Sequence, residues 1–479
     1  MVVSPTLLVF SRLNYASNAG LVEVPKSRCI EAERQALLKF KEELYELKEG
    51  LLSSWGNKEE KRDCCNWVGI QCANRSGRVI KLDFSPSTFG QKIQFLPLIG
   101  KLAIEAIFDD ASSKVSAFWS LRADNICPSL SELQYLNYLD LSFNNFTGKS
   151  IPIIGTLSNL RYINLSSTYM SGDVPPQLAN LSRLQYLDFS NNYLEMKNLD
   201  WVFHLSSLRE LFPGGTDLRE VNSDFRQLVN KLPYLKKLEL FSCHLPYYNS
   251  LSFPVVNSST SLVALDLSYN SLPLIAHQWL LSFKNLVYLD LSGNFYLNGS
   301  IMDTLGNITS LEYLSLSNTR LEESIPESFG EMSSLFRLDL SYNKLEVEIP
   351  KSIWNLPKDC LFSVNYNNLS GRLPESIGQL SELEMFDVSS NVLEDSIPNW
   401  FWDLSTEVLN MNLSKDNFSG RIPDPSSEFT NYPEIDMSFN HFEGPIPRFL
   451  FKVSALHLFS YRFSELNSIC DCIALLSFL

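Results

Sequence analysis

The chain has 479 residues, 45% of them hydrophobic, with 39 basic against 54 acidic side chains and a formal net charge of −15. That balance disfavours a partner gripped through its phosphates, because nucleic-acid binding needs a basic face. The apolar fraction is that of a folded protein, which argues against global disorder, and a chain this long divides into several domains unless it is built of repeats.

Residues 1–28 read as a leader in the form of a degraded signal peptide. The apolar stretch "TLLVF" (6–10) is short and no positive residue precedes it. No run approaches the roughly 18 apolar residues of a membrane-spanning helix, so this chain is not expected to insert in a membrane. Four of the nine cysteines (Cys29, Cys64, Cys65 and Cys72) fall in one short segment. Such a cluster is either a disulfide unit or a metal site. Zinc sites usually show Cys-x2-Cys pairs, and none occur here. Disulfides formed in an oxidising compartment are the better reading, with no metal or cofactor. Cys64 and Cys65 are adjacent and rarely would bond each other, because so tight a ring strains the disulfide torsion.

From residue 136 onward a period emerges. "LNYLDLSFN" begins at Leu136, "LQYLDFSNN" at Leu184, "LVALDLSYN" at Leu262, "LVYLDLSGN" at Leu286, "LEYLSLSNT" at Leu311 and "LFRLDLSYN" at Leu335. Weaker copies begin at Leu160, Leu208, Leu235, Asp359, Leu383, Val408, Tyr432 and Val453, mostly in steps of 24 residues. This is a leucine-rich-repeat array. In each repeat "LxL" is a short strand with its leucines inward and alternate residues outward. Asn stands eight residues beyond the first leucine at 144, 192, 270, 294, 343, 367, 391 and 440. Its amide can satisfy backbone groups where the chain turns away from the strand. Thr168, Thr319, Asp416 and Cys243 hold the same place. No repeat buries its own leucines, so the coils stack into an α/β repeat solenoid with one parallel sheet on its concave side.

A solenoid has open ends that need caps. Residues 31–51, "EAERQALLKFKEELYELKEGL", place Leu37, Phe40, Leu44, Leu47 and Leu51 on one helical stripe, suited to cover a first coil near "RVIKLDF" (78–84). Residues 29–77 are therefore the N-terminal cap, with Cys64 reaching back to Cys29 and Cys65 forward to Cys72. Residues 78–460 hold about 14–15 repeats, degenerate at 85–125, and 461–479 form a divergent tail. Ten Asn-x-Ser/Thr sequons agree with secretion and glycosylation: Asn74, Asn145, Asn164, Asn180, Asn257, Asn298, Asn307, Asn368, Asn412 and Asn417.

No catalytic constellation is present: no HExxH, no GxSxG elbow, no phosphate-binding loop and no kinase signature. An enzyme is not expected, and a binding use of the concave sheet is. One outward column is largely acidic, and another carries Tyr138, Tyr162, Tyr186, Tyr288 and Tyr313; both recur by copying of the repeat. The departures are more informative. Glu210, Phe212, Lys237, Glu239 and Phe241 gather in two neighbouring repeats, with Arg337 further on, and exposed aromatics beside charges make candidate ligand contacts. Cys127, Cys243 and Cys360 read as small buried residues.

The segments "CIEAERQALLKFKEEL", "LLSSWGN" and "DCCNWVGIQC" resemble the N-terminal cap of plant extracellular leucine-rich-repeat proteins. The consensus "LxxLxLSxNxLxGxIP" is similar to the plant-specific class, its last element appearing at Ile151-Pro152, Ile325-Pro326, Ile349-Pro350, Ile397-Pro398, Ile422-Pro423 and Ile446-Pro447. "ICPSLSELQYLNYLDLSFNNF" and "LVNKLPYLKKLELFSCHLP" resemble receptor-like proteins of the fungal xylanase receptor and apple scab resistance type. The resemblance spans about residues 29–460. It implies a plant-type leucine-rich-repeat superhelix with a disulfide-stapled cap, acting as the ectodomain of a plasma-membrane or extracellular receptor-like protein. It also implies a protein or peptide ligand of microbial or endogenous origin, a co-receptor kinase as signalling partner and a role in plant defence. The array expected here is about half the length such receptors carry, without kinase or membrane anchor. Two other readings are a secreted inhibitor of microbial wall-degrading enzymes, similar to polygalacturonase inhibitors, and a non-functional receptor fragment.

Overall fold

The computed structural model describes residues 28–46, 50–88, 121–148, 151–221, 225–246, 261–272, 277–280, 282–297, 305–357, 360–373, 384–397, 401, 408–422 and 431–460. The leader up to residue 27, residues 89–120 of the degenerate segment, the tail 461–479 and the sequons Asn257 and Asn298 lie outside them.

One sheet of sixteen described strands runs the length of the molecule. It starts with the antiparallel pair Ile70–Cys72 and Val79–Asp83 and continues in parallel register, one strand per repeat, from Tyr138–Asp140 to Ala455–His457. Each strand begins two residues after the first residue of a repeat, including the weak copies at 208, 408 and 453. The middle strand residue, a leucine in most repeats, points inward into one continuous apolar core. Strands stack at about 4.8 Å, closer than the short 3-10 helices on the opposite wall can approach, so the sheet lines the inner, concave side.

The Asn column closes the turn after each strand. Asn294 is fully buried, and its Nδ2 donates to the carbonyls of Leu267, Leu291 and Ser292 (3.0, 2.8 and 3.4 Å) while its Oδ1 accepts from the Leu272 N–H at 3.2 Å. Thr168 and Thr319 donate one such bond through Oγ1, to the carbonyls of Leu165 and Leu316. A buried backbone carbonyl needs a partner, so each asparagine rung ties its own turn to the preceding repeat.

The cap helix spans Glu31–Glu42 and buries Ala36, Leu37 and Phe40. It stops nine residues short of the helical pattern, because Tyr45 and Glu46 pair antiparallel with Arg122 and Leu121 instead. Local periodicity loses there to strand pairing with a distant segment. The disulfides join Cys29 to Cys64 and Cys65 to Cys72. Within the cap the Glu33 carboxylate is buried, and it accepts from the Val79 N–H at 2.7 Å and from Arg78 Nη1 at 3.2 Å, which ties the helix to the first parallel strand.

A second, six-stranded parallel sheet follows the "LxGxIP" elements from Glu322–Glu323 to His441–Glu443. Its glycine position takes a left-handed backbone, as at Gly371 (φ 82°) and Gly420 (φ 82°), but Val347 occupies it at φ 70°. A β-branched side chain is strained there, and Val347 is 59% exposed, so burial returns little. Val347→Gly is expected to raise stability by about 0.5–1 kcal/mol, relief of strain outweighing glycine's entropy in the unfolded chain. A lower urea midpoint for the variant would refute this.

Candidate functional site: the concave sheet

Two outward columns cover the concave face. The first runs through Lys81, Tyr138, Tyr162, Tyr186, Glu210, Lys237, Ala264, Tyr288, Tyr313 and Arg337. Its tyrosines stack along the sheet. Ring centres are 4.2 Å apart between Tyr138 and Tyr162 and between Tyr162 and Tyr186, and 4.3 Å between Tyr288 and Tyr313. Cations close both runs, with Lys81 Nζ 4.2 Å from the Tyr138 ring centre and the Arg337 guanidinium 5.6 Å from that of Tyr313. The spacing of adjacent strands is near the stacking distance of aromatic rings, so copied tyrosines form a ladder of themselves.

The second column holds Asp140, Asn164, Asp188, Phe212, Glu239, Asp266, Asp290, Ser315 and Asp339. Its aspartates hold the turn that follows each strand. Oδ1 of Asp140, Asp188, Asp290 and Asp339 accepts from both the backbone N–H and the hydroxyl of the serine two residues on. Asn164 does the same toward Ser166. Much of the acidic stripe is therefore explained by turn geometry. Burial, with Asp140 adding repulsion, pushes the Asp188 carboxyl up to about 6. Burial raises Asp140 and Asp387 as well, reinforced by Asp83 for the former and by Asp339 and Asp436 for the latter. Tyr138 and Tyr186 hydroxyls, kept protonated by burial and these carboxylates, donate to Asp140 and Asp188 at 3.4 and 3.3 Å.

The six candidate contact residues all lie on or beside these columns, and five of them sit in two neighbouring repeats. Glu210 Oε2 and Lys237 Nζ are 3.7 Å apart in neighbouring strands. Glu239 is half-buried two residues along the same strand from Lys237. Phe212 departs from the expectation of an exposed aromatic. It is 8% exposed, its ring centre 5.1 Å from that of Tyr186, because lying along the ladder buries more of the ring than standing into solvent. Phe241 is half-buried and lies over Gly214, where any side chain would meet its ring. Phe212 and Gly214 thus replace the Asp–Ser pair of other repeats with an aromatic floor. Arg337 stands several strands away, 4.0 Å from Asp339 Oδ2. Reading the tyrosines singly misses that they stack into two runs; their equal register in successive repeats is the signal that reveals it.

Among the described sequons, Asn74, Asn180, Asn307, Asn368 and Asn417 are exposed away from the concave sheet. Asn145 is half-buried, and its Oδ1 is buried without a partner. Asn164 and Asn412 lie on the concave strands. The sulfurs of Cys29, Cys64 and Cys65 cluster, but all three are consumed in disulfides, so no thiolate is offered there to a metal. Cys127, Cys243 and Cys360 are buried and lie outside these two disulfides. No helix among the described residues is long and apolar enough to cross a membrane.

Cap, parallel sheet and Asn column define a capped leucine-rich-repeat protein. The leucine rich repeat N-terminal domain matches residues 30–73, the leucine rich repeat 135–157, 159–181 and 183–205, and the leucine-rich repeat region 260–406. Receptor-like protein EIX2 of Solanum lycopersicum is 36% identical over 345 residues, 66% of this chain and 31% of that protein. Receptor-like protein EIX1 of the same plant is 33% identical over 301 residues, 61% of this chain and 26% of that protein. The matches thus span between a quarter and a third of the length of these relatives. The crystal structure of a TDR receptor superposes with a TM-score of 0.50 at 26% identity, covering 71% of this chain and 54% of that one. A Leptospira interrogans leucine-rich-repeat protein gives 0.51 at 26% identity, covering 62% and 71%. The chain belongs to the plant leucine-rich-repeat receptor-like proteins. Relatives and disulfide-bonded cap place the array at the cell surface or outside the cell.

Proposed function

We propose that the chain is the ligand-binding part of a plant receptor-like protein in defence signalling, and that its concave sheet holds an extended basic segment of a protein or peptide ligand. The observation that supports this most is the line of aspartates held by their serines, where burial, with repulsion from Asp140 added, raises the Asp188 carboxyl to about 6. A cation laid along them relieves that repulsion, which an isolated surface acid does not need. The Glu210, Lys237, Glu239 and Phe241 patch and Arg337 supply register within the line. The defence role and a co-receptor kinase rest on the likeness to receptor-like proteins.

Calorimetry of the secreted chain with a lysine-rich peptide tests the acidic face. Asp266→Asn, Asp290→Asn and Asp339→Asn together remove three charges while keeping the oxygen that accepts from serine, as Asn164 already does. Affinity is expected to fall about tenfold or more in the triple variant. It should also rise with pH up to about 6 in the wild type, since binding favours the ionised carboxyls. Equal affinity of variant and wild type would refute the basic-ligand reading. A fungal xylanase, the ligand type of the receptors it resembles, is the probe for the defence role, which fails if no binding is seen.

A further inference from the structure

We propose that Asn164 and Asn412 carry N-linked glycans standing on the concave sheet, which fence off a window nine strands wide as the part of that face open to a ligand. The window's meaning rests on the ligand-binding reading above; the glycans themselves do not.

Asn164 and Asn412 each open an Asn-Leu-Ser sequon and each is the last residue of a concave strand, Tyr162–Asn164 and Asn410–Asn412. Both occupy the column otherwise held mainly by aspartate. What the fold asks of that column is one acceptor oxygen. Asn164 Oδ1 takes the Ser166 N–H at 3.0 Å and its hydroxyl at 2.8 Å, and Asn412 Oδ1 takes the Ser414 N–H at 3.1 Å. Aspartate does this elsewhere without an amide nitrogen. An N-glycosidic bond forms on Nδ2, replacing one of its two N–H groups, and leaves Oδ1 untouched.

The Asn column in the turns gives the contrast. Asn192 and Asn294 use Nδ2 for three backbone carbonyls each and are buried, so a sugar there would cost the fold its rungs. Asn164 and Asn412 are half-buried on an open face. They are chemically fit for the modification in a way the turn asparagines are not.

Between their strands lie nine others, from Tyr186–Asp188 to Met385–Asp387. Ten steps of about 4.8 Å separate the two glycans by about 48 Å. That admits about 14 residues of extended chain. None of the described sequons falls on a concave strand inside this window, whereas Glu210, Lys237 and Arg337 all do. The fence thus leaves open the stretch where the repeats depart most from their consensus.

The full chain, expressed in plant cells behind a heterologous secretion signal, is digested and its glycopeptides are mapped by mass spectrometry. Peptides holding Asn164 and Asn412 are expected to be glycosylated in most copies. Recovery of either mainly unmodified overturns the proposal. A second measurement asks whether the sugars stand over the sheet. Asn164→Asp and Asn412→Asp retain the acceptor oxygen and lose the glycans. Hydroxyl-radical oxidation of Tyr186 and Met385, at the two edges of the window, should rise several-fold in this double variant, and that of Tyr288 at its centre should not. Unchanged oxidation at both edges overturns the fence even if the sugars are present. Neither measurement uses a ligand, so loss of peptide binding in the calorimetry above would remove the ligand reading and leave the glycan fence standing or falling by its own data.

Discussion

Replacing Asp416 by asparagine is expected to stabilise the protein by an amount that grows as the pH is raised from about 4 to about 8. Asp416 sits in the turn column where Asn391 and Asn440 each give three N–H···O bonds to backbone carbonyls. It is 5% exposed; one oxygen accepts from the Leu393 N–H at 3.0 Å, and the other is buried without a partner. By the offsets of the neighbouring rungs that second oxygen meets carbonyls, which repel an ionised carboxylate. Burial pushes its carboxyl up to about 8, with the Asp387 charge adding to it. The folded value lies above the unfolded one of about 4, so the native state holds an extra proton between the two. Its contribution is fully present below about pH 4 and is lost progressively as pH rises through about 8. Asparagine needs no proton and supplies the missing donors. The gain for Asp416→Asn should be about 1 kcal/mol near pH 4 and about 2–4 kcal/mol by pH 8. Paired thermal melts across that range check it, since carboxylates common to both proteins cancel in the difference. A difference that did not change with pH would mean that Asp416 is ionised in the fold and partnered.

That rung marks where sequence reading reaches its limit. The consensus around residue 416 names the position and allows aspartate as a hydrogen-bonding residue, yet the column needs donors, and only the folded backbone around it reveals that. Strand positions are legible even at Val453, because alternation and a fixed step survive the loss of individual leucines. The disulfide-stapled cap is legible too, through the adjacency of Cys64 and Cys65 and the need of an open solenoid end. The end of the cap helix is not: Leu44, Leu47 and Leu51 continue the stripe, and it is pairing of Tyr45 and Glu46 with residues some 76 positions away that stops it. Phe212 fails for a related reason. Its position says that it leaves the strand on the outer side, but whether the ring stands up or lies down depends on Tyr186 beside it.

Removing the ring of Phe40 is expected to open the N-terminal end of the array while leaving the far end intact. Phe40 is fully buried under the cap helix, parallel to Phe84 with ring centres 5.9 Å apart. Phe84 in turn meets Trp55 at 5.7 Å, and Trp55 stacks on Trp67 at 4.9 Å. This aromatic cluster fills the space between helix and first strand, and its polar edges are satisfied: Trp55 Nε1 donates to the Val68 carbonyl and Trp67 Nε1 to that of Lys61. Phe40→Ala leaves a cavity that the disulfides prevent from collapsing, at a cost of about 3–5 kcal/mol. The disulfides also hold the cap residues near one another, so the helix should loosen rather than leave. In a solenoid each repeat touches only its neighbours, and the damage should decay along the stack. Hydrogen exchange should quicken in residues 31–42 and 79–84, less in Tyr138–Asp140, and not at all from Tyr288–Asp290 onward. Even acceleration along the whole sheet would instead mean that the array unfolds as one cooperative block. In that case the cap would be guarding the concave face as far as Arg337 and not only the coil it covers.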